Sequence, residues 1–439
     1  MRRKNKIAGW KKEQGIILTL VAVFMLAVVG AMAALSIDVV TLYTARSEAQ
    51  LAADAAALAG ARMLANSGMT SDPSAATDNL MTNAQILANA VATQVAQSNQ
   101  VGGRAPLAAN GEVVVTTPCP NVTNPCVTVQ VQRTDLPTFF ARIWGSNQLM
   151  VKASATAEAY NPSGANALGG IVAPVAPSCV KPWVLPNMSP NGRPSIINPT
   201  TGVIVDTKLL GVTQSTLLQP ICKHPMCGGA WWGTPPTAWE YYPEDVSGLP
   251  AAGALPACAA GFNASQNSMA GCIQTPIACG STVNLEKVHG SLRPQTADAV
   301  NCLIHASTSA TTADTVDPNF GPSSGSPFQF LAGADNPLVL AGTVPLNTDV
   351  LVSDSIVTVP IYDDGTLPNA PATSVPIVGF VQVFVSPSGT AVETNAASPN
   401  LGAMNTMVIN IAGCGTGASG QPILGNGASP VAVRLITQP

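Results

Sequence analysis

The chain has 439 residues, of which 46% are hydrophobic and only 10% are charged, whereas a typical soluble domain has about 25% charged residues. After residue 15 there are 13 basic and 22 acidic side chains, a net charge of −9. This charge argues against nucleic acid or anionic lipid headgroups as partners of that part of the chain. With 38 Gly and 37 Pro, we expect short strands joined by many loops.

An uncharged apolar run occupies residues 16–37. Its 22 residues would form a helix about 33 Å long, which matches a hydrocarbon core of about 30 Å. Six Lys or Arg side chains precede the run, and Glu13 is the only acid among them. This basic flank predicts a cytoplasmic tail over residues 1–15, one transmembrane helix over 16–37, and export of everything that follows.

Two other interpretations of this N-terminal segment are open. Ala31-Met32-Ala33 has the small-x-small pattern of a signal-peptide cleavage site, and cleavage there would also export the rest of the chain. A prepilin-type cut after Gly15 is disfavoured because Leu20 stands where such signals carry Glu. All ten cysteines follow residue 118, and an even number of cysteines in an exported chain predicts disulfides.

A helical pattern continues beyond the apolar run. Ala45, Ala49, Ala53, Ala57 and Ala61 recur every fourth residue. Such a flank of small side chains, with Ala49, Ala53 and Ala57 at its centre, permits close helix–helix packing. High helix propensity alone is an equal explanation of the alanines. A break at 66–72 and a second helix from Pro73 to about Ser98 complete a predicted helical hairpin.

The pattern then changes to the alternation typical of strands. We expect strands at 112–116, 127–133 and 149–160, with a short helix at 139–145. Cys119 and Cys126 flank the turn between the first two strands, where a disulfide would join the hairpin. Residues 38–160 therefore form a predicted small α+β unit.

A linker over residues 161–178 precedes a β-rich extracytoplasmic region over 179–439. This region carries the other eight cysteines, and its clearest strands are expected at 355–362 and 375–385. Whether it forms one domain or two is left open. The overall prediction is an α+β fold with a membrane helix, a helical hairpin, a small sheet and a disulfide-stabilised β-rich body.

The segment from Gln14 to Ala61 resembles the N-terminal module of TadE/TadG-like proteins, which belong to the Tad/Flp tight-adherence pilus assembly systems of bacteria. The pattern is a QG pair, an apolar run, D-x-x-x-L-Y-x-x-R-x-x-x-Q, and the string A-A-D-A-A-A-L-A-G-A at 52–61. The residues that carry it are Gln14, Gly15, Asp38, Leu42, Tyr43, Arg46, Gln50, Ala53, Asp54, Ala55, Ala56, Ala57, Leu58, Ala59, Gly60 and Ala61.

The resemblance implies a single-pass inner-membrane protein with a periplasmic body that acts in pilus biogenesis. Its implied partners are other pilus-assembly membrane proteins, and a homo-oligomer formed through the helices is a further expectation. Some TadG-like proteins carry a von Willebrand A domain with a D-x-S-x-S metal site. This chain has Asp245-Val246-Ser247-Gly248-Leu249 instead, so we expect no such site.

Few residues indicate other chemistry. His224 lies between Cys222 and Cys227, a spacing that could hold zinc or copper, but disulfides are favoured in an exported chain. With three histidines and none of the usual hydrolase or phosphate-binding motifs, we predict no enzyme activity, no metal and no cofactor.

An aromatic cluster marks residues 230–245. Trp231, Trp232 and Trp239 are candidate contacts with a partner, although aromatic side chains also pack under loops. The leading hypothesis is a structural role in a Tad/Flp-type pilus assembly or secretion system. The alternatives are a membrane-anchored envelope protein that binds a glycan or protein ligand, and an exported hydrolase that uses carboxylates.

Overall fold

The computed structural model describes residues 11–71, 79–120, 124–138, 140, 145, 148–162, 175–187, 195–207, 209–211, 213–216, 238–240, 262–272, 275–284, 286–288, 293–306, 312–321, 324–350, 353–363, 374–386, 404–414, 423–425 and 429–436. Its helices are α1 (Lys11–Asn66), α2 (Asn79–Ser98), α3 (Ala264–Ala270), α4 (Arg293–Leu303) and α5 (Pro337–Leu340).

The strands are β1 (Val113–Thr116), β2 (Cys126–Pro137), β3 (Gln148–Tyr160), β4 (Val175–Pro177), β5 (Leu185–Pro186), β6 (Thr213–Thr216), β7 (Ala238–Glu240), β8 (Thr282–Asn284), β9 (Glu286–Val288), β10 (Thr315–Val316), β11 (Phe330–Leu331), β12 (Ile356–Tyr362), β13 (Ser374–Val385), β14 (Met404–Gly413), β15 (Ile423–Gly425) and β16 (Ala432–Ile436). The predicted α+β fold with an N-terminal apolar helix, a second helix and β-rich sheets is confirmed.

The helix α1 has no interruption between its apolar half and its alanine-rich half. The 56 residues from Lys11 to Asn66 form one helix. This segment contains no proline, and its isolated glycines, Gly15, Gly30 and Gly60, do not interrupt the helix. The segment from 139 to 145 that the sequence marks as a helix lies mostly outside the described residues.

The chain divides into two compact units that interleave along the sequence. The first unit contains residues 1–57, 92–115 and 128–155, and the second contains 58–91, 116–127 and 156–439. Strands β1, β2 and β3 are neighbours in that order in one sheet. In the second unit, β16 pairs antiparallel with Thr156–Tyr160 of β3.

The centre of the second unit is a sheet with strand order β5-β12-β13-β14-β6, in which β8 pairs with the first residues of β13. Strands β12, β13 and β14 are antiparallel neighbours. Their burial is nearly continuous because both faces of the sheet are covered, which is the reason these strands are almost uniformly apolar.

One face of this sheet packs against α3 and α4, with Val359, Val383 and Ile411 from the strands and Met269 and Val300 from the helices in the same core cluster. The other face carries two separate apolar clusters. One contains Tyr362 and Phe380, and the other contains Phe384 and Ile409.

Three disulfides join described residues, Cys119–Cys126, Cys179–Cys272 and Cys279–Cys414. The last two tie segments of the second unit that are 93 and 135 residues apart. No cysteine in the described ranges is a free thiol. Such cross-links are typical of chains that fold in an oxidising compartment.

Candidate functional site

The first half of α1 presents apolar side chains to the outside. From Ile16 to Leu35 nearly every large hydrophobic residue is exposed. Among the described residues, the Gly15–Asn66 part of α1 is the stretch long and apolar enough to cross a membrane by length and composition. Its most apolar window has a mean hydropathy of 2.8 and no buried residue. α1 is therefore a candidate membrane span.

The body of the first unit begins to cover α1 at Ala34 and Asp38, which are both buried. The Asp38 carboxylate accepts a hydrogen bond from the backbone N–H of Phe140, with 3.1 Å between Oδ2 and N. A buried carboxylate needs such donors because it has lost its water. Asp38, one of the residues of the TadE/TadG-like pattern, thus makes a contact 102 residues away in the chain.

The opposite side of the helix stays apolar and exposed beyond Asp38. Val39, Val40 and Tyr43 are all exposed, and Tyr43 is 77% accessible. Tyrosine is enriched where the hydrocarbon core meets water, because its ring is apolar and its hydroxyl is polar. One side of α1 therefore meets protein from Ala34 onward, while the other keeps a membrane-like surface for about two more turns.

The alanines at every fourth position in the second half of α1 lie inside the fold. Ala49, Ala53 and Ala57 are fully buried, so the chain itself covers this face. Two polar side chains hold the same stretch within the first unit. Glu48 accepts a hydrogen bond from the N–H of Gly102 at 2.7 Å, and the Gln50 amide donates to the backbone carbonyl of Ser154 at 3.4 Å.

A charged cluster also stabilises the first unit. Arg104 donates to both Glu112 and Asp135, at 2.5 and 2.9 Å, and the buried Arg133 donates to the other Asp135 oxygen at 2.7 Å. Hydrogen bonds from Arg133 and Arg104 lower the pKa of Asp135 to about 2. The hydrogen bond from Arg104 likewise lowers the pKa of Glu112.

In the second unit, Gly60 marks a close approach of α1 to its neighbours. A Cβ atom at Gly60 would lie 3.1 Å from both methyl groups of Val127 and 3.2 Å from the carbonyl oxygen of Ala88. The absence of a side chain thus lets strand β2 and helix α2 contact this part of α1. Gly60 belongs to the alanine-rich string of the sequence, where its spacing alone gave no sign of this role.

The end of α1 lies on a polar row that crosses the central sheet. Thr358, Gln382 and Asn410 are adjacent in register on β12, β13 and β14, and all three are fully buried. The Asn410 amide donates to the carbonyl oxygen of Ala65 at 2.7 Å and to the Gln382 side-chain oxygen at 2.6 Å. The last turn of α1 thereby gains a buried partner for one of its terminal carbonyls.

The residues just after α1 make further buried hydrogen bonds to β14. The Ser71 hydroxyl donates to the carbonyl of Ile411 at 3.1 Å and accepts from the Ile411 N–H at 2.8 Å. The Asn161 amide donates to the carbonyls of Thr70 and Ile411, at 3.0 and 2.8 Å. These bonds fasten the end of α1 to the core of the second unit.

Some of the other residues singled out from the sequence are described by the structure and some are not. Cys119 and Cys126 form a disulfide. Trp239 lies in β7 opposite Lys287 of β9, whereas Trp231 and Trp232 lie outside the described residues, as do Cys222, His224 and Cys227. Within the described ranges, no group of three or more His, Cys, Asp or Glu side chains is arranged to hold a metal ion.

The exposed apolar half and the buried alanine half belong to one stretch of sequence that a known family shares. Residues 15–63 match the Tad family model of TadE/G-like proteins of Flp pilus assembly. The TadE/G-like resemblance of the N-terminal module is thereby confirmed, and the matched residues all lie in α1. No curated protein and no solved structure matches the chain.

The TadE/G-like segment combines two surfaces with different roles. Its first half offers side chains that hydrocarbon solvates well, and the alanine face of its second half is covered by other parts of the chain. Together, the matched family and the candidate span support a pilus-related membrane protein.

Proposed function

We propose that this protein is a single-pass inner-membrane component of a Tad/Flp-type pilus assembly or secretion system, with a structural rather than catalytic role. Residues 1–15 remain in the cytoplasm and the bulk of the chain is periplasmic. The orientation follows from the basic flank before the apolar run. The disulfides of the described residues support an oxidising location for the body.

The observation that carries this proposal is the continuity of α1. The helix that matches the TadE/G-like family leaves its apolar surface exposed at one end. Its other end is hydrogen-bonded to the central sheet through Asn410 and Ala65. A helix bound in this way suits a membrane anchor that holds a folded body. The proposed partners of the span are other membrane proteins of the assembly or a second copy of this chain.

The role is tested by deleting the gene in the bacterium that encodes it and counting surface pili. We expect pili to be lost in the deletion strain and to return when the full chain is restored. Leu26→Arg should fail to restore them, because Leu26 is exposed in the middle of the apolar run and Arg there costs about 3 kcal/mol of insertion. A matched variant, Leu435→Arg, changes an exposed leucine outside the span and should restore piliation. Normal piliation in the deletion strain would refute the role.

The orientation is tested separately on spheroplasts that carry the full chain with an epitope tag before residue 1. Externally added protease should remove the body and leave the tag intact. Digestion of the tag with protection of the body would reverse the assignment, whatever the outcome of the piliation assay.

A further inference from the structure

An exposed apolar loop stands out on the second unit. The 336–348 loop contains no charged residue and includes the short helix α5. Leu338, Leu340 and Leu346 are 41%, 61% and 53% accessible. Together with the exposed Pro337, Ala341 and Pro345 beside them, they form an apolar patch of roughly 300 Å² or more, a size that often marks an interaction site on a protein surface.

The loop is held in one shape by buried contacts at its base. Val339 and Val344 pack against the apolar cluster that contains Phe330 and Phe384. Because these two valines are anchored below, the leucines beside them remain directed away from that cluster. The leucine surface is therefore built on a packed base.

A buried carboxylate also fixes the start of the loop. Both oxygens of Asp314 accept hydrogen bonds from the Asn336 side-chain amide at 2.9 Å. Asp314 accepts two more, from the N–H of Gly333 at 2.8 Å and from the hydroxyl of Ser353 at 2.5 Å. The oxygen of Asn336 in turn caps α5 by accepting from the N–H of Leu338 at 2.9 Å. A loop ordered before binding loses less entropy when it docks.

The charge around the loop indicates what it binds. Residues 294–433 contain nine Asp or Glu and no Lys or Arg. Two of these acids, Asp335 and Asp349, directly flank the loop, and Asp317 acts electrostatically on Asp349. Apolar segments that bind a bilayer surface usually carry Lys or Arg for the anionic headgroups, so the flanking aspartates and the lack of Lys or Arg in the loop disfavour lipid. In a symmetric dimer through this loop the aspartates of one copy would face those of the other, and this like-charge repulsion disfavours a second copy as the occupant.

We propose that the 336–348 loop docks a different protein, with Leu338, Leu340 and Leu346 entering an apolar pocket whose rim carries Lys or Arg side chains. The leucines act as the central apolar anchor of the interface, and the flanking carboxylates face the basic rim. This inference does not depend on the proposed pilus role.

The test begins with the photo-crosslinking amino acid p-benzoylphenylalanine, placed in the full chain at position 340 or 346 in the bacterium that encodes it. The control position is 435, because Leu435 is an exposed leucine of 43% accessibility on β16. We expect light-dependent attachment to one protein at 340 and 346 but not at 435. Peptide mapping should place the attachment in an apolar pocket bordered by Lys or Arg. Attachment only to lipid, only to a second copy of this chain, or to nothing above the control would overturn the proposal.

The second step measures affinity between the purified partner and the full chain in lipid nanodiscs. The double variant Leu340→Ser with Leu346→Ser should weaken binding at least tenfold, since it removes two of the three leucines that are buried at the centre of the proposed interface. Leu435→Ser should leave the Kd unchanged, and raising the salt concentration should weaken binding of the unmodified chain. A double variant that stays folded by limited proteolysis and binds within twofold of the unmodified chain would equally overturn the proposal.

Discussion

The replacement Asn410→Leu tests whether the polar row fastens the end of α1. Asn410 is fully buried and its amide serves two acceptors, the carbonyl of Ala65 and the side-chain oxygen of Gln382. Leucine has a similar volume but no donor, so both acceptors lose their partner. Each unsatisfied buried group costs about 1–3 kcal/mol, and the apolar gain of leucine offsets a part of this. We expect the local stability of the docked segment to fall by about 2–4 kcal/mol.

Hydrogen exchange followed by mass spectrometry, on the full chain in nanodiscs, measures this loss. Peptides that cover residues 58–71 should exchange at least tenfold faster in the variant, since about 1.4 kcal/mol corresponds to a factor of ten. Asn319→Leu is the matched control, because Asn319 is exposed and its amide donates to Asp317, two residues away. An Asn410→Leu protein with unchanged exchange in 58–71 would refute the docking argument.

Three further predictions concern packing and charge. Gly60→Leu should destabilise the second unit by about 1–3 kcal/mol through contacts with Val127, whereas Gly30→Leu, with no atom within 4 Å of its Cβ position, should have no comparable effect in thermal unfolding. Burial lowers the pKa of Lys181 to about 7, so the unfolded chain binds the extra proton and stability should rise between pH 7 and about 10 by roughly 1 kcal/mol per pH unit. Because the pKa of Asp135 is lowered to about 2, the stability it contributes should be present above pH 4 and be lost as the pH falls through 2.

Each of these predictions has its own contrary result. Equal unfolding temperatures for Gly60→Leu and Gly30→Leu would show that Val127 does not pack closely against Gly60. The free energy of unfolding is measured by denaturant titration at several pH values. If it rises with pH as steeply in Lys181→Met as in the unmodified chain, Lys181 is not the cause of the rise. The Lys181 Nζ donates to the carbonyls of Met269 and Gly271 at the end of α3. Hydrogen exchange of the α3 backbone amides is therefore a second measurement of its effect. If Arg104→Met unfolds at the same acidic pH as the unmodified chain, the cluster of Arg104, Glu112 and Asp135 does not govern acid unfolding.

Local patterns predicted much of the first half of the chain. The uncharged run at 16–37, the alanines spaced by four and the alternation after residue 110 are each visible within a window of a few turns. The cysteines at 119 and 126 could be assigned to one turn because only six residues separate them. Periodicity and composition are properties of neighbouring residues, so they report local structure well.

The contacts that give these elements their role were not predictable in the same way. Asp38 meets Phe140 across 102 residues of chain, and Asn410 meets Ala65 across 345. No spacing in the sequence distinguishes Asn410 from the other asparagines. A polar residue within an apolar strand indicates a buried hydrogen bond, but its partner depends on which segment the fold brings against that face of the sheet.

The 336–348 loop illustrates the same division. The sequence shows an uncharged apolar stretch between two aspartates, a pattern that also fits a buried turn. The structure places Val339 and Val344 in the core and leaves Leu338, Leu340 and Leu346 outside it. The start of α5 is held by the hydrogen bonds between Asp314 and Asn336 and by the Asn336 cap on Leu338, contacts that the local pattern does not show.

The sequence by itself determined that α1 contains an apolar stretch long enough for a membrane, that this stretch and the alanines after it resemble a TadE/G-like module, and that the chain beyond residue 118 carries disulfide-forming cysteines. The first conclusion needs only the free energy of transfer of side chains and the period of the helix, the second rests on the motif that resembles the family, and the third rests on the number of cysteines. Only the tertiary structure decided where the helix is covered by protein, how its end is bound to the central sheet, and which apolar side chains remain at the surface. Those features depend on hydrogen bonds and packing between segments that are far apart in the chain.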